Sequence, residues 1–174
     1  MTNEFKEKMN KAMEKAVIVA RKQDKEHLEK VKLNQQFADL YMELVLALVE
    51  QYDFHTGEFH TEIVSKAFLE KFGNPQKIYA WISEENQKGT IAINYVDKDN
   101  CWLRHGEPEF KKYDYFDLDI INDILAENDI SIYEDHIDGG GMGSQNDYIY
   151  FNASMLIETR NRLMEEAPNQ YKRF

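Results

Sequence analysis

One cysteine, Cys101, stands in the whole chain. No internal disulfide can form, and a lone thiol fits a reducing compartment. Membrane-length hydrophobicity is missing too: the longest apolar run, Leu44 to Val49, is far short of the roughly 20 residues a spanning helix needs. The start, Met1 to Asn10, is polar and charged, which is not the pattern of a signal peptide. Together these absences make the cytoplasm the expected location. Internal repeats are absent, and only the glycines between Gly139 and Gly143 approach low complexity. No phosphate-loop, zinc-protease or EF-hand spacing occurs.

What the chain does have is enough apolar material for a core. Of its 174 residues, 43% are hydrophobic and 13% aromatic, which suits one domain with or without a helical appendage. Charge is divided unevenly. Residues 1–33 carry net +3, whereas the stretch from Glu107 to Asp138 sets eleven carboxylates against two lysines, −9 of a total −11. A field this one-sided attracts basic partners and repels phosphates.

Phe5, Met9, Ala12, Ala16 and Val19 recur at spacings of four and three, the seam of an amphipathic helix. From Leu33 the apolar face broadens through Phe37, Leu40, Tyr41, Leu44, Val45, Leu48 and Tyr52, as expected of a core helix. No glycine or proline separates the two stretches, so a hairpin near Asn34 and a single rod of about 75 Å both fit. A rod would call for a partner helix, hence a homodimer through the N-terminal helix.

A helix is expected after Thr61, burying Ile63, Ala67, Phe68 and Phe72 and ending at Gly73. Another would be capped by Asn74, start with Pro75, bury Ile78, Trp81 and Ile82, and close at Gly89. Residues 90–96 and 101–104 read as a hairpin with a polar turn between them. A helix over about 115–128 follows, then strands at 130–133 and 148–151 across a long glycine-rich loop, 134–147. The last helix starts at Asn152 or Ser154. In outline, residues 60–106 resemble a winged helix-turn-helix, in order and length but not in motif; its lysines are balanced by Glu84, Glu85, Asp97 and Asp99, so little phosphate affinity is expected. The fold class is therefore α+β: N-terminal helices packed with a small antiparallel sheet of about four strands and a helix-turn-helix-like middle. The expected division is a basic helical arm over residues 1–33 and an acidic globular domain over 34–174.

Three groups of residues could carry function. Asp119, Asp123 and Glu127 lie four apart and form one stripe opposite Leu118 and Leu125. Like charges at that spacing cost a helix about 0.2–0.5 kcal/mol per pair, a penalty that a basic partner would relieve. Asp114, Asp117, Glu134, Asp135 and Asp138 would extend the surface, with Tyr113 and Tyr115 as anchors. The second group is the loop 134–147, where Asp135, Asp138, Asn146 and Asp147 offer oxygen ligands beside His136 without a known metal spacing. The third is the basic helix, with Lys6, Lys8, Lys11, Lys15, Arg21, Lys22 and Lys25. No catalytic residue, metal ligand or cofactor is assigned.

The first group leads. The expected function is a non-enzymatic, acidic protein-interaction module that inhibits or mimics nucleic acid for a basic, nucleic-acid-handling partner. A counter-defence protein of a mobile element or an immunity protein would be of this type. Direct nucleic-acid binding is not expected, and neither is a membrane partner. The alternatives are a winged-helix-like DNA-binding regulator dimerising through its first helix, and an enzyme or metal protein centred on the 134–147 loop.

Overall fold

A computed structural model describes residues 1–62, 65–72, 75, 77–97, 115–139 and 142–171, with no side-chain detail at 96–97, 136–139 and 142–145. Helix α1 (Asn3–Glu50) is one rod of 48 residues, about 72 Å long at 1.5 Å per residue. Thr2 caps it, its hydroxyl accepting from the Phe5 N–H at 3.3 Å, and with neither glycine nor proline inside nothing local breaks it. The hairpin alternative near Asn34 is thereby removed. Every residue from 1 to 30 is exposed, and the first buried one is Asn34.

Helix α2 (Lys66–Phe72) is shorter than expected. Ser65, not Thr61, supplies its cap, with Oγ accepting from the Phe68 N–H at 3.1 Å. Of the residues expected inside, Phe68 and Phe72 are buried, Ala67 is exposed, and Ile63 lies outside the described residues.

The larger correction comes next. Residues 77–83 form strand β1 (Lys77–Ser83), not a helix. Ile78, Ala80 and Ile82 are half-buried while Lys77, Tyr79 and Trp81 are exposed, a period of two rather than 3.6. Trp81, expected inside a helix, is 47% exposed. With a strand in place of its second helix, the helix-turn-helix-like middle does not form as expected. The second strand of the expected wing, 101–104, lies outside the described residues.

Strand β2 (Lys88–Asp97) follows β1 and pairs with it antiparallel, Ser83 opposite Lys88. Gly89 therefore ends no helix. It sits opposite Phe151 in the sheet, and the aromatic ring occupies the space a β-carbon would need. Helix α3 (Leu118–Ala126) is capped by Asp117, whose carboxylate accepts from the Asp119 and Ile120 N–H groups. Beyond it, Asp129 takes φ 56°, and the Ile130 N–H reaches the Leu125 carbonyl at 3.1 Å, a Schellman-type ending with Ile130 and Leu125 both buried.

Strands β3 (Ser131–Gly139) and β4 (Met142–Asn152) pair from Ser131↔Tyr150 to Gly139↔Met142. The expected loop 134–147 is thus mostly ladder, paired as far as Gly139↔Met142. Helix α4 (Ser154–Glu166) closes the described fold as expected. The described strands form one four-stranded antiparallel sheet in the order β1-β2-β4-β3, so the α+β class holds. No described helix is long and apolar enough to cross a membrane.

The core lies between the sheet's inner face and the helices. Ile91, Ile93, Ile132, Ile149 and Phe151 meet Phe37, Tyr41, Leu44 and Leu48 of α1, Ile121 and Leu125 of α3, and Leu156 and Ile157 of α4. An aromatic knot fixes α2 against α1: Phe72 lies 4.7 Å from Tyr41 and 5.6 Å from Phe37, ring to ring. Buried Asn34 ties α1 to the start of α3, donating to the Tyr115 carbonyl at 2.9 Å and accepting from the Asp117 N–H at 2.8 Å.

Candidate functional site

Alternation along each strand puts one side chain in two on the sheet's outer face. Because the register aligns Tyr79 with Ala92, Ala92 with Tyr148 and Tyr148 with Tyr133, one row across the sheet reads Tyr–Ala–Tyr–Tyr. The next row aligns Trp81, Thr90, Tyr150 and Ser131. Tyr79, Trp81 and Tyr133 are 50%, 47% and 55% exposed, while Tyr148 and Tyr150 are half-buried by their neighbours. The phenol rings run parallel: Tyr148 lies 6.3 Å from Tyr150 at 6° and 6.3 Å from Tyr133 at 28°. Burial pushes the Tyr150 phenol above its usual range, and the neighbouring Tyr148 and Tyr133 add to that.

Cations already sit on this face. Lys88 Nζ is 3.7 Å from the centre of the Tyr150 ring, and Lys77 Nζ is 6.0 Å from that of Tyr79. An ammonium over an aromatic face at such distances is attracted by the ring quadrupole. The ladder therefore offers further aromatic faces at Trp81 and Tyr133. None of the described helices lies over it: their buried residues belong to the core on the opposite side.

The expected acidic surface is only partly assembled. Asp119, Asp123 and Glu127 are all exposed on α3, on the side away from buried Ile121 and Leu125. Between these two sides, Asn122 bonds the edge strand at Ile132, so the carboxylate row stands beside β3. Asp135 lies on the outer sheet face, in the row of Lys77, Asn94 and Asn146.

Other members go elsewhere. Asp117 caps α3 and pairs with Lys30 at 3.5 Å, an internal contact with the basic helix. Glu134 is opposite Asp147 in the register, on the core side of the sheet, where Asp147 is fully buried. Tyr115 packs against Phe37, centroids 5.6 Å apart, and is half-buried. Tyr113 and Asp114 lie outside the described residues, as does the side chain of Asp138.

His136 is a strand residue opposite Gln145, not a loop-edge group. Among the described residues no three His, Cys, Asp or Glu side chains converge to hold a metal ion. No family model, curated protein or solved structure matches this chain. Its chemistry must be read from the surface itself. The sequence signal for the aromatic face is an alternation: Tyr79 and Trp81 with Ile78, Ala80 and Ile82, and Tyr148 and Tyr150 about Ile149.

Proposed function

We propose that the protein is a non-enzymatic docking module that captures a Lys- and Arg-rich, nucleic-acid-handling protein partner, acting on it as an inhibitor or accessory. The observation that carries this reading is the outer sheet face, where Tyr79, Trp81 and Tyr133 are exposed beside a stacked tyrosine pair. Aromatic residues are the usual anchors of protein interfaces, and Arg is their frequent counterpart. Carboxylates of Asp119, Asp123, Glu127 and Asp135 stand at the β3 side of that face, and the net charge of −11 speeds encounter with a cationic partner.

An aromatic sheet face also suits stacking by single-stranded nucleic acid. Here phosphates would approach a strongly anionic molecule, and among the described residues only Lys77 and Lys88 are placed on the face to receive them. A basic polypeptide is therefore the better occupant. The test measures two probes side by side: an Arg/Lys-rich peptide and single-stranded DNA, each at low and at moderate salt. The peptide should bind, weaken with salt, and lose binding in the Asp119→Lys, Asp123→Lys, Glu127→Lys variant. Binding of DNA without the peptide would replace this reading with a nucleic-acid one. Binding of neither would remove it.

A further inference from the structure

Helix α1 carries a second apolar face that its own fold covers only in part. On a straight helix of 3.6 residues per turn, Met13, Val17, Leu28, Val31, Met42 and Leu46 all fall within about 60° of one another. This is not the seam of Phe5, Met9, Ala12, Ala16 and Val19, which continues into the core at Phe37. Met13, Val17, Leu28 and Leu46 are 59%, 46%, 62% and 66% exposed. At the body end, Met42, Val45, Leu46 and Val49 form one wall of an apolar groove of about 560 Å³, with Met155 and Leu156 of α4 on the other. Met155, at its rim, is 80% exposed.

Charge separates the two ends. Residues 1–33 carry net +3, whereas residues 34–62 hold Asp39, Glu43, Glu50, Asp53, Glu58 and Glu62 and no Lys or Arg. A helix with an exposed apolar stripe, basic at one end and acidic at the other, is complementary to itself reversed.

We propose that α1 pairs antiparallel with α1 of a second copy, each basic arm lying in the other copy's apolar groove, beside Asp39, Glu43 and Glu50. One register places Met13 against Leu46 of the second copy, Val17 against Met42 and Leu28 against Val31, with polar Asp24 meeting Gln35. All of these positions lie on the stripe, and the twofold axis passes between Leu28 and Val31. On the flanks, Arg21 faces Asp39 of the second copy, while Glu14 opposite Glu43 and Lys25 opposite Lys32 oppose the pairing. The register is therefore set by the apolar layers, and the direction by the opposed net charges of the two ends.

A parallel pair is less favourable. Its seam would run from Phe5 to Val19 and then bring Gln23, Glu26 and Lys30 against their own copies, and Lys30 is already turned to Asp117. Like charges meeting at successive layers would end that contact after about two heptads, fewer than the three or four that mark a sustained coiled coil. Antiparallel pairing engages the full rod. It also gives the arm a partner, without which an exposed helix depends on its weak intrinsic propensity. This inference rests on α1 and its groove, independently of the sheet face.

The test uses full-length chains in a Cys101→Ser background. Met13→Cys and Leu46→Cys are made separately, oxidised mildly alone, and then as an equimolar mixture. The mixture should give a disulfide-linked dimer containing one chain of each kind, while either chain alone should give none, because like positions lie roughly 50 Å apart along an antiparallel pair. Val17→Cys mixed with Met42→Cys should behave the same way. Bridging of Met13→Cys with itself would establish parallel pairing and overturn the proposal. So would a monomer for the unmodified chain in sedimentation equilibrium at hundreds of micromolar. Leu46→Lys should weaken the dimer at least tenfold in that measurement, and an unchanged dimer would equally overturn it.

Discussion

The Asn122 side chain pairs with the Ile132 peptide as a neighbouring strand would: its Nδ2 donates to the Ile132 carbonyl at 3.0 Å, and its Oδ1 accepts from the Ile132 N–H at 2.7 Å. Edge strands expose such groups and invite foreign strands. Here one amide on α3 closes the middle of the edge strand β3 and fixes the height of α3 beside the sheet. Asn122→Ala removes both bonds and leaves part-buried peptide groups unpaired, at a cost of about 1–2 kcal/mol. Urea unfolding should show the loss in the midpoint, and the Ile132 amide should exchange faster with solvent.

Asp129 offers a change in the opposite direction. It occupies the left-handed position that ends α3, φ 56°, where glycine has no steric penalty, and it places a carboxylate at the negative end of the helix dipole. Asp129→Gly should therefore stabilise the fold by about 0.5–1 kcal/mol. Thermal or chemical unfolding reads the sign directly, and a loss of stability would contradict the Schellman-type geometry.

Much of this architecture could be read from the residues. The alternation at 90–96, the strands at 130–133 and 148–151, the acidic helix and the last helix all stand near their expected places, because each has one clear period. Residues 77–83 fit two periods at once: Ile78, Trp81 and Ile82 satisfy a helical spacing, while Ile78, Ala80 and Ile82 satisfy an alternating one. Pairing with β2 decides between them, and no local pattern contains it. The same holds for the aromatic face: Tyr79, Tyr148 and Tyr133 share a row only through the strand order β1-β2-β4-β3. Asn34 likewise gave no hint that it would bond Tyr115 and Asp117, 81 and 83 residues away.

Gly89 and Phe151 show how closely the sheet and core are fitted. The ring lies where an alanine methyl would stand, and Phe151 is only 5% exposed, so the ring must move against its core neighbours to make room. Gly89→Ala should cost about 1–3 kcal/mol by overpacking. Adding Phe151→Leu to the alanine variant should recover part of the loss, a non-additivity that a double-mutant cycle in denaturant measures.

Tyr52 links stability to alkaline pH. Burial pushes its phenol from 10.0 up to about 12, with the nearby Asp53 adding to the rise and Arg160 opposing it. Raised in the folded state, this group contributes stability that is complete below its unfolded value and is lost as pH climbs from about 10 through about 12. The fall in stability across that window should be shallower in Tyr52→Phe than in the unaltered protein. Denaturant midpoints taken at intervals of pH compare the two slopes; identical slopes would mean that the folded phenol titrates normally.

Trp81 separates binding from folding. Its indole is 47% exposed on the outer face of the edge strand β1, so truncation opens no cavity in the core and should change stability by no more than about 0.5 kcal/mol. At an interface the same indole would be an anchor whose loss costs about 2 kcal/mol or more, roughly thirtyfold in affinity. Trp81→Ala should thus leave the unfolding midpoint nearly unchanged while weakening capture of the Arg/Lys-rich peptide. Tyr133→Ala, on the opposite edge of the sheet, should weaken it as well, because both rings belong to one surface. A variant that melts as before and binds as before at both positions would show that the aromatic face is not where the partner sits, whatever the carboxylates of α3 contribute.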